Sequence, residues 1–253
     1  MKQLLYALSA ICLVSCSPKL STQMPNNRPP LPDNTFVLVL DQADRFPDRN
    51  AISTITFSNA TYAEAVTRLK QTARSQGANL VKIISHKKPD NSITAKIYSV
   101  DNVKSYETKF EWSSDRKLTW EDYKGSPSPA QDTNIAATTS CRFGLLAGPS
   151  VEVTNEFICH QSSVRQGQQK PTLLAHEQLH FDLCEVYARK LRKELAANTS
   201  VDPREVFIGM YKLYKETQWL YDDETNHGLE PQAQKLWKNK IEKGLEEFAG
   251  YAR

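Results

Sequence analysis

His176-Glu177-Gln178-Leu179-His180 sets two imidazoles four residues apart with a carboxylate between them. On an α-helix, four residues advance the chain by about one turn and rotate it by roughly 40°, so both rings face one side. Two ring nitrogens presented in this way can grip a single zinc ion. Zinc lowers the pKa of a water it holds toward about 7, and a nearby glutamate can take the proton as the oxygen attacks a carbonyl. The spacing therefore predicts His176 and His180 as metal ligands, Glu177 as catalytic base and Zn2+ as cofactor. The plainer reading is two helix-surface histidines beside an unrelated glutamate. Against it, the chain holds only five histidines, and the motif sits in an apolar run (Leu173, Leu174, Ala175, Leu179, Phe181, Leu183).

A catalytic zinc takes a third protein ligand and keeps one position open. On the same continuous helix, Asp182 points about 120° and Glu185 roughly 180° away from His176. Both fit better as partners behind the ligands. If the first two long helices pack antiparallel about a turn near Ser200, position 220 falls opposite His180 and position 224 opposite His176. The segment there is Tyr221-Asp222-Asp223-Glu224-Thr225-Asn226-His227-Gly228. His227 is the preferred third ligand, because imidazole suits zinc and Gly228 lets the chain turn tightly. Glu224 and Glu230 come next, then Glu216 in a shifted register, and Glu185. Tyr221 and Tyr187 are candidate donors to a developing oxyanion, although aromatic packing at a helix contact explains each more simply. Asp222 or Asp182 can orient a ligand imidazole. His160 either lines the cleft or is structural.

Several elements must hold this constellation. Residues 172–197 read as the motif helix. A second helix starts at Asp202, with Pro203 at its first position and Glu205 in its first turn, and runs to about 223; a third spans about 231–248. Residues 134–146 and 150–159 read as strands joined at Gly148-Pro149, with a loop or short strand at 118–125. Upstream, residues 36–40, 51–57, 80–84 and 93–99 are strand-like. Between the second and third of them, Thr61 with Glu64 forms a capping box, and Tyr62, Val66, Leu69 and Ala73 follow at helical spacing to a stop at Gly77.

The N-terminus reads differently. A positive start, an apolar run from Leu4 to Val14 and Leu13-Val14-Ser15-Cys16 resemble a bacterial lipoprotein signal, cut before Cys16 and lipidated there. The plain alternative is an ordinary signal peptide with a chance cysteine. Residues 17–34, rich in Pro, Asn and Ser, read as a flexible tether. Cys141, Cys159 and Cys184 then remain, allowing at most one internal disulfide; Cys184, inside an apolar helix, reads as a buried thiol. The net charge of +3 offers no dense basic surface for nucleic acid.

Leu118-Thr119-Trp120-Glu121-Asp122-Tyr123-Lys124-Gly125, HEQLHFDLCEVYARKLR from His176, YDDETNHG from Tyr221 and Gln234…Trp237 together resemble a largely uncharacterised bacterial family of predicted secreted zinc-dependent proteases. The resemblance covers about residues 108–250 and is most specific around HEQLHFD. It implies zinc at His176 and His180 with Glu177 as base. The expected fold is α+β: a signal segment (1–16), a tether (17–34), a small α+β domain (35–105) and a zincin-like domain (108–253) with a short antiparallel sheet and three helices. The expected function is a zinc-dependent hydrolase of the cell envelope, a metallopeptidase. Its partners would be a peptide or protein substrate and, through the lipid on Cys16, a membrane. A cell-wall amidase and a zinc-binding or inactive assembly lipoprotein are the competing readings. An extended peptide substrate is expected to lie along the strand at 151–158.

Overall fold

A computed structural model describes residues 20–23, 28–87, 91–127, 135–146, 151–198 and 200–253. The signal segment with Cys16 and the Gly148-Pro149 turn lie outside the described residues. The fold is α+β. The chain divides into two compact units, one ending at Tyr106 and the other spanning Glu107–Arg253. No described helix is long and apolar enough to cross a membrane.

Among the described residues, the first unit is a five-stranded sheet carrying one α-helix. Its strands are β1 (Leu20–Gln23), β2 (Leu38–Leu40), β3 (Ser53–Phe57), β4 (Leu80–Lys87) and β5 (Ser92–Tyr98), in spatial order β1-β3-β5-β4-β2. The β2–β4 pair is parallel and the others are antiparallel. Helix α1 (Tyr62–Ser75) begins at the expected box: the Thr61 hydroxyl accepts from the Glu64 N–H, and the Glu64 carboxylate accepts from the Thr61 N–H. Its buried stripe, Ala65, Leu69 and Ala73, packs in one cluster with Ile55, Ile83 and Ile97 from the strands. At Gly77 the backbone turns left-handed (φ +68°), and an added Cβ would lie 2.8 Å from the Pro29 carbonyl oxygen. That approach belongs to a segment expected to be tether. Part of it is ordered instead: β1 pairs along β3, and the Leu31 N–H donates to the Arg74 carbonyl. An edge strand held by backbone hydrogen bonds needs no apolar pattern, so composition alone does not reveal it.

In the second unit, β6 (Lys109–Glu111), β8 (Cys141–Leu146) and β9 (Glu152–Ile158) form an antiparallel sheet in the order β6-β9-β8. Two short strands, β7 (Ala137–Thr138) and β10 (Ser163–Val164), pair beside it. The strand expected to receive a peptide, β9, is therefore the central one, with both edges already paired; β8 is an edge. Three helices follow: α2 (Pro171–Ala197), α3 (Pro203–Thr225) and α4 (Pro231–Glu247), each opening with proline at its first turn. That residue gives up an N–H which has no partner inside a helix anyway.

Helix α2 is the axis of this unit. Leu179, Leu183, Val186 and Leu191 share one core with Phe143 and Val153 of the sheet, Tyr214 and Tyr221 of α3, and Trp237 and Ile241 of α4. On another flank, Phe181 meets Phe157, Leu118 and Tyr123. The polar residues inside the motif fasten the preceding chain to α2. Gln178 accepts from the Leu118 N–H at 2.8 Å and donates to Asp182 at 2.8 Å, and the Trp112 indole donates to the same Asp182 oxygen at 2.7 Å. Asp182 thus anchors residues 112–118 and does not orient a ligand imidazole.

Candidate metal centre

Helices α2 and α3 pack antiparallel. His180 meets Gln218, and His176 meets Tyr221 and Asp222, the higher number on one helix matching the lower on the other. This register brings three acceptor atoms to one point. The Nε2 atoms of His176 and His180 are 3.1 Å apart, and Asp222 Oδ1 lies 3.1 Å from the first and 3.0 Å from the second. Donors about 2.0–2.1 Å from a tetrahedral ion would be separated by about 3.3 Å. His176, His180 and Asp222 are thus a donor set of the right size and chemistry for a metal ion.

The tautomers sharpen this. Gln218 donates its Nε2 to the His180 carbonyl at 2.9 Å, which turns its Oε1 toward His180 Nδ1. Gln234 donates to Tyr221 Oη at 2.8 Å, and its Oε1 sits 3.1 Å from His176 Nδ1. An amide oxygen only accepts, so both Nδ1 atoms carry hydrogen and, in the neutral rings, both Nε2 atoms are bare. Two bare nitrogens and a carboxylate oxygen at 3.0–3.1 Å repel one another unless positive charge lies among them. The titration of the cluster follows. Burial opposes charging His180, but its bond to Asp222 and that carboxylate's charge, aided by Glu177 and Gln218, push its pKa up to about 9. Burial favours the neutral Asp222 acid, yet the bonds and charges of His176 and His180 hold it well below the usual carboxylate range.

Close packing fixes the rings. Tyr221, fully buried, stacks on His176 with ring centres 4.7 Å apart, and its hydroxyl donates to the His176 carbonyl at 3.2 Å. After α3 the chain turns through three left-handed residues, Asn226, His227 and Gly228. An added Cβ at Gly228 would lie 2.9 Å from Cβ and Cγ of His176, so only glycine lets this turn press on the ring.

Glu177 is 3 % exposed and lines the cleft beside the three donors. Its Oε2 atom is buried and accepts no hydrogen bond among the described residues. A buried polar atom left unpaired costs about 1–3 kcal/mol, and more when charged, so its survival points to a task at this spot. The cleft measures about 830 Å3, within the usual range for ligand sites. Its walls include Ala137, Cys141 and Arg142 from the strand side and Trp219 and Leu229 from the helix side, the last two 67 % and 72 % exposed.

The structure brings together His176, Glu177 and His180, and among the described residues the carboxylate that meets both imidazoles is that of Asp222. Asp222 stands with the histidines. His227 faces the same cleft, 43 % exposed, with Nδ1 at 3.5 Å from Asp222 Oδ1, and lies beside the donor triangle instead of in it. The physical reason is the turn: α3 continues to Thr225, so His227 already lies past the helix end, while Asp222 still faces α2. The carboxylate alternatives are engaged elsewhere. Glu224 accepts from the Trp237 indole, Glu185 is buried with Arg189 and Arg192, Glu216 pairs with Lys212 on an exposed face, and Glu230 precedes α4. Tyr187 bonds Thr217 across the helix contact, and Tyr221 is committed to His176, so neither hydroxyl is a donor into the cleft. His160 is exposed in a short turn after β9. Sequence reasoning missed Gln218 as the partner of His180; its signal was its place one helical turn before Asp222, on the same face of α3.

No family model matches the chain, and no match to it was found among curated proteins or solved structures.

Proposed function

We propose that the Glu107–Arg253 unit is a zinc-dependent hydrolase of the cell envelope, a metallopeptidase, with His176, His180 and Asp222 holding the ion and Glu177 as the catalytic base. The carrying observation is the convergence of two imidazole Nε2 atoms and one carboxylate oxygen with 3.0–3.1 Å separations. Two imidazoles and a carboxylate form a ligand set that zinc accepts, leaving a position open. When bound, the ion would supply Lewis acidity toward the substrate carbonyl and would acidify the attacking water.

The rest is done by side chains of this chain. Glu177, with one unpaired buried oxygen, takes the proton of the attacking water and delivers it to the departing amine. Gln218 and Gln234 hold the two rings in the tautomer that turns their free nitrogens inward. Strand β8, an edge of its sheet, reaches the cleft through Cys141 and Arg142 and offers an extended peptide a backbone to pair with.

The test is metal analysis of the purified chain together with peptide-library cleavage, beside Glu177→Gln. Stoichiometric zinc in both proteins, with cleavage only by the wild type, is the expected result. Absence of bound metal, or cleavage undiminished in the variant, overturns the proposal.

A further inference from the structure

One helical turn along α2 from His180, β8 meets α2 where Cys141 and Cys184 pack into one cluster. Cys141 of β8 packs against the buried cluster that holds Cys184 of α2 and Tyr214 of α3, and the two thiols interact electrostatically with one another and with the Tyr214 hydroxyl. Cys141 Sγ is 3.3 Å from that hydroxyl and 3.6 Å from the His180 carbonyl oxygen. Cys184 follows His180 by one helical turn, on the same face of α2. The third described cysteine, Cys159, belongs to a different cluster, packed with Leu118, Tyr123, Phe157 and Phe181. Cys141 is partly exposed and lines the cleft, whereas Cys184 is fully buried.

We propose that Cys141 and Cys184 are a disulfide pair whose closure fastens strand β8 to the metal-binding helix one turn along from His180. The oxidant is another disulfide, carried by a protein or a small molecule. Cys141, reachable from the cleft, attacks it and forms a mixed disulfide, releasing one thiol. Cys184 then attacks the Cys141 sulfur and releases the second thiol. One S–S bond forms as one breaks; the two cysteines give up two electrons and two protons, and the oxidant leaves as two thiols. The crosslink joins chain segments far apart in sequence, so it removes freedom from the unfolded chain and adds stability. It also ties one wall of the cleft to the helix that carries both histidines.

The experiment uses the full chain, incubated with oxidised glutathione, alkylated, digested without reduction and mapped by mass spectrometry. The expected map shows one linked peptide pair containing Cys141 and Cys184, with Cys159 alkylated once the chain is denatured. Adding reductant should lower the melting temperature by about 5 °C or more, and Cys141→Ala should melt at the same temperature with and without reductant. Recovery of Cys141 and Cys184 as alkylated thiols after oxidation overturns the proposal. So does Cys184 linked to a different cysteine, or a melting response to reductant that persists in Cys141→Ala.

Discussion

Asp222 carries more of the site than its place after two buried helix turns suggests. One of its oxygens meets both imidazoles, so under the proposed function its removal would take away a ligand and the charge that would draw a cation into the cleft. Asp222→Ala should therefore weaken zinc binding by more than the roughly 10–100-fold expected for Gln218→Ala, which only loosens the orientation of His180. His227→Ala should change affinity by no more than a few-fold. Competition against a fluorescent chelator ranks the three, and a His227→Ala loss exceeding that of Asp222→Ala would return the ligand role to the histidine. The same carboxylate sets the pH dependence. Without metal, His180 holds its proton up to about pH 9, well above an ordinary histidine, and the ion must displace that proton. Apparent zinc affinity should thus fall about tenfold for each unit of pH lowered between 8 and 6. In Asp222→Asn, where the raising charge is gone, the slope should flatten toward pH 8. A flat wild-type profile across that window would show that no proton competes.

At the scale of elements, the contact between α2, α3 and the turn after α3 decides whether the donors meet. Gly228→Ala adds a Cβ against His176 at a left-handed position, and should cost about 1–3 kcal/mol with a measurable loss of metal affinity. Urea unfolding of the metal-free protein reads the first effect and chelator competition the second; an unchanged midpoint would mean the turn is free to move. The three helices were legible because caps, prolines and apolar spacing act within one element. The projection of α3 onto α2 was legible too: positions 220 and 224 bracket Asp222. What remained hidden was the choice inside that window, since a preference of zinc for imidazole favoured His227 while the helix, running on to Thr225, faced a carboxylate toward α2 instead. Strand neighbours were hidden for a similar reason. The apolar pattern of β9 marks a buried strand, but only the distant residues 109–111, too few to show a pattern, make it central. The edge strand at 20–23 is held through its backbone, which leaves no imprint on side-chain types.

Across the whole molecule, the two units differ in what they depend on. The sheet and helix of the first draw on their own core, with Ile55, Leu69 and Ile97 fully buried. The three candidate donors His176, His180 and Asp222, the glutamines Gln218 and Gln234, Tyr221 and Gly228 belong to the second. Metal binding energy should therefore appear as stability of the second unit alone. A ligand present at about 1,000 times its dissociation constant adds about 4.1 kcal/mol to the state that binds it. For a unit of this size that raises a melting transition by roughly 8–16 °C. Calorimetry of the full chain with zinc and with chelator should show one transition that moves by about this much and another that stays. An isolated Glu107–Arg253 fragment should reproduce the moving transition and bind zinc within a few-fold of the full chain. If both transitions shifted together, or the fragment folded without retaining the metal, the first unit would have to contribute to the site, and the division of labour drawn from the contacts would be wrong.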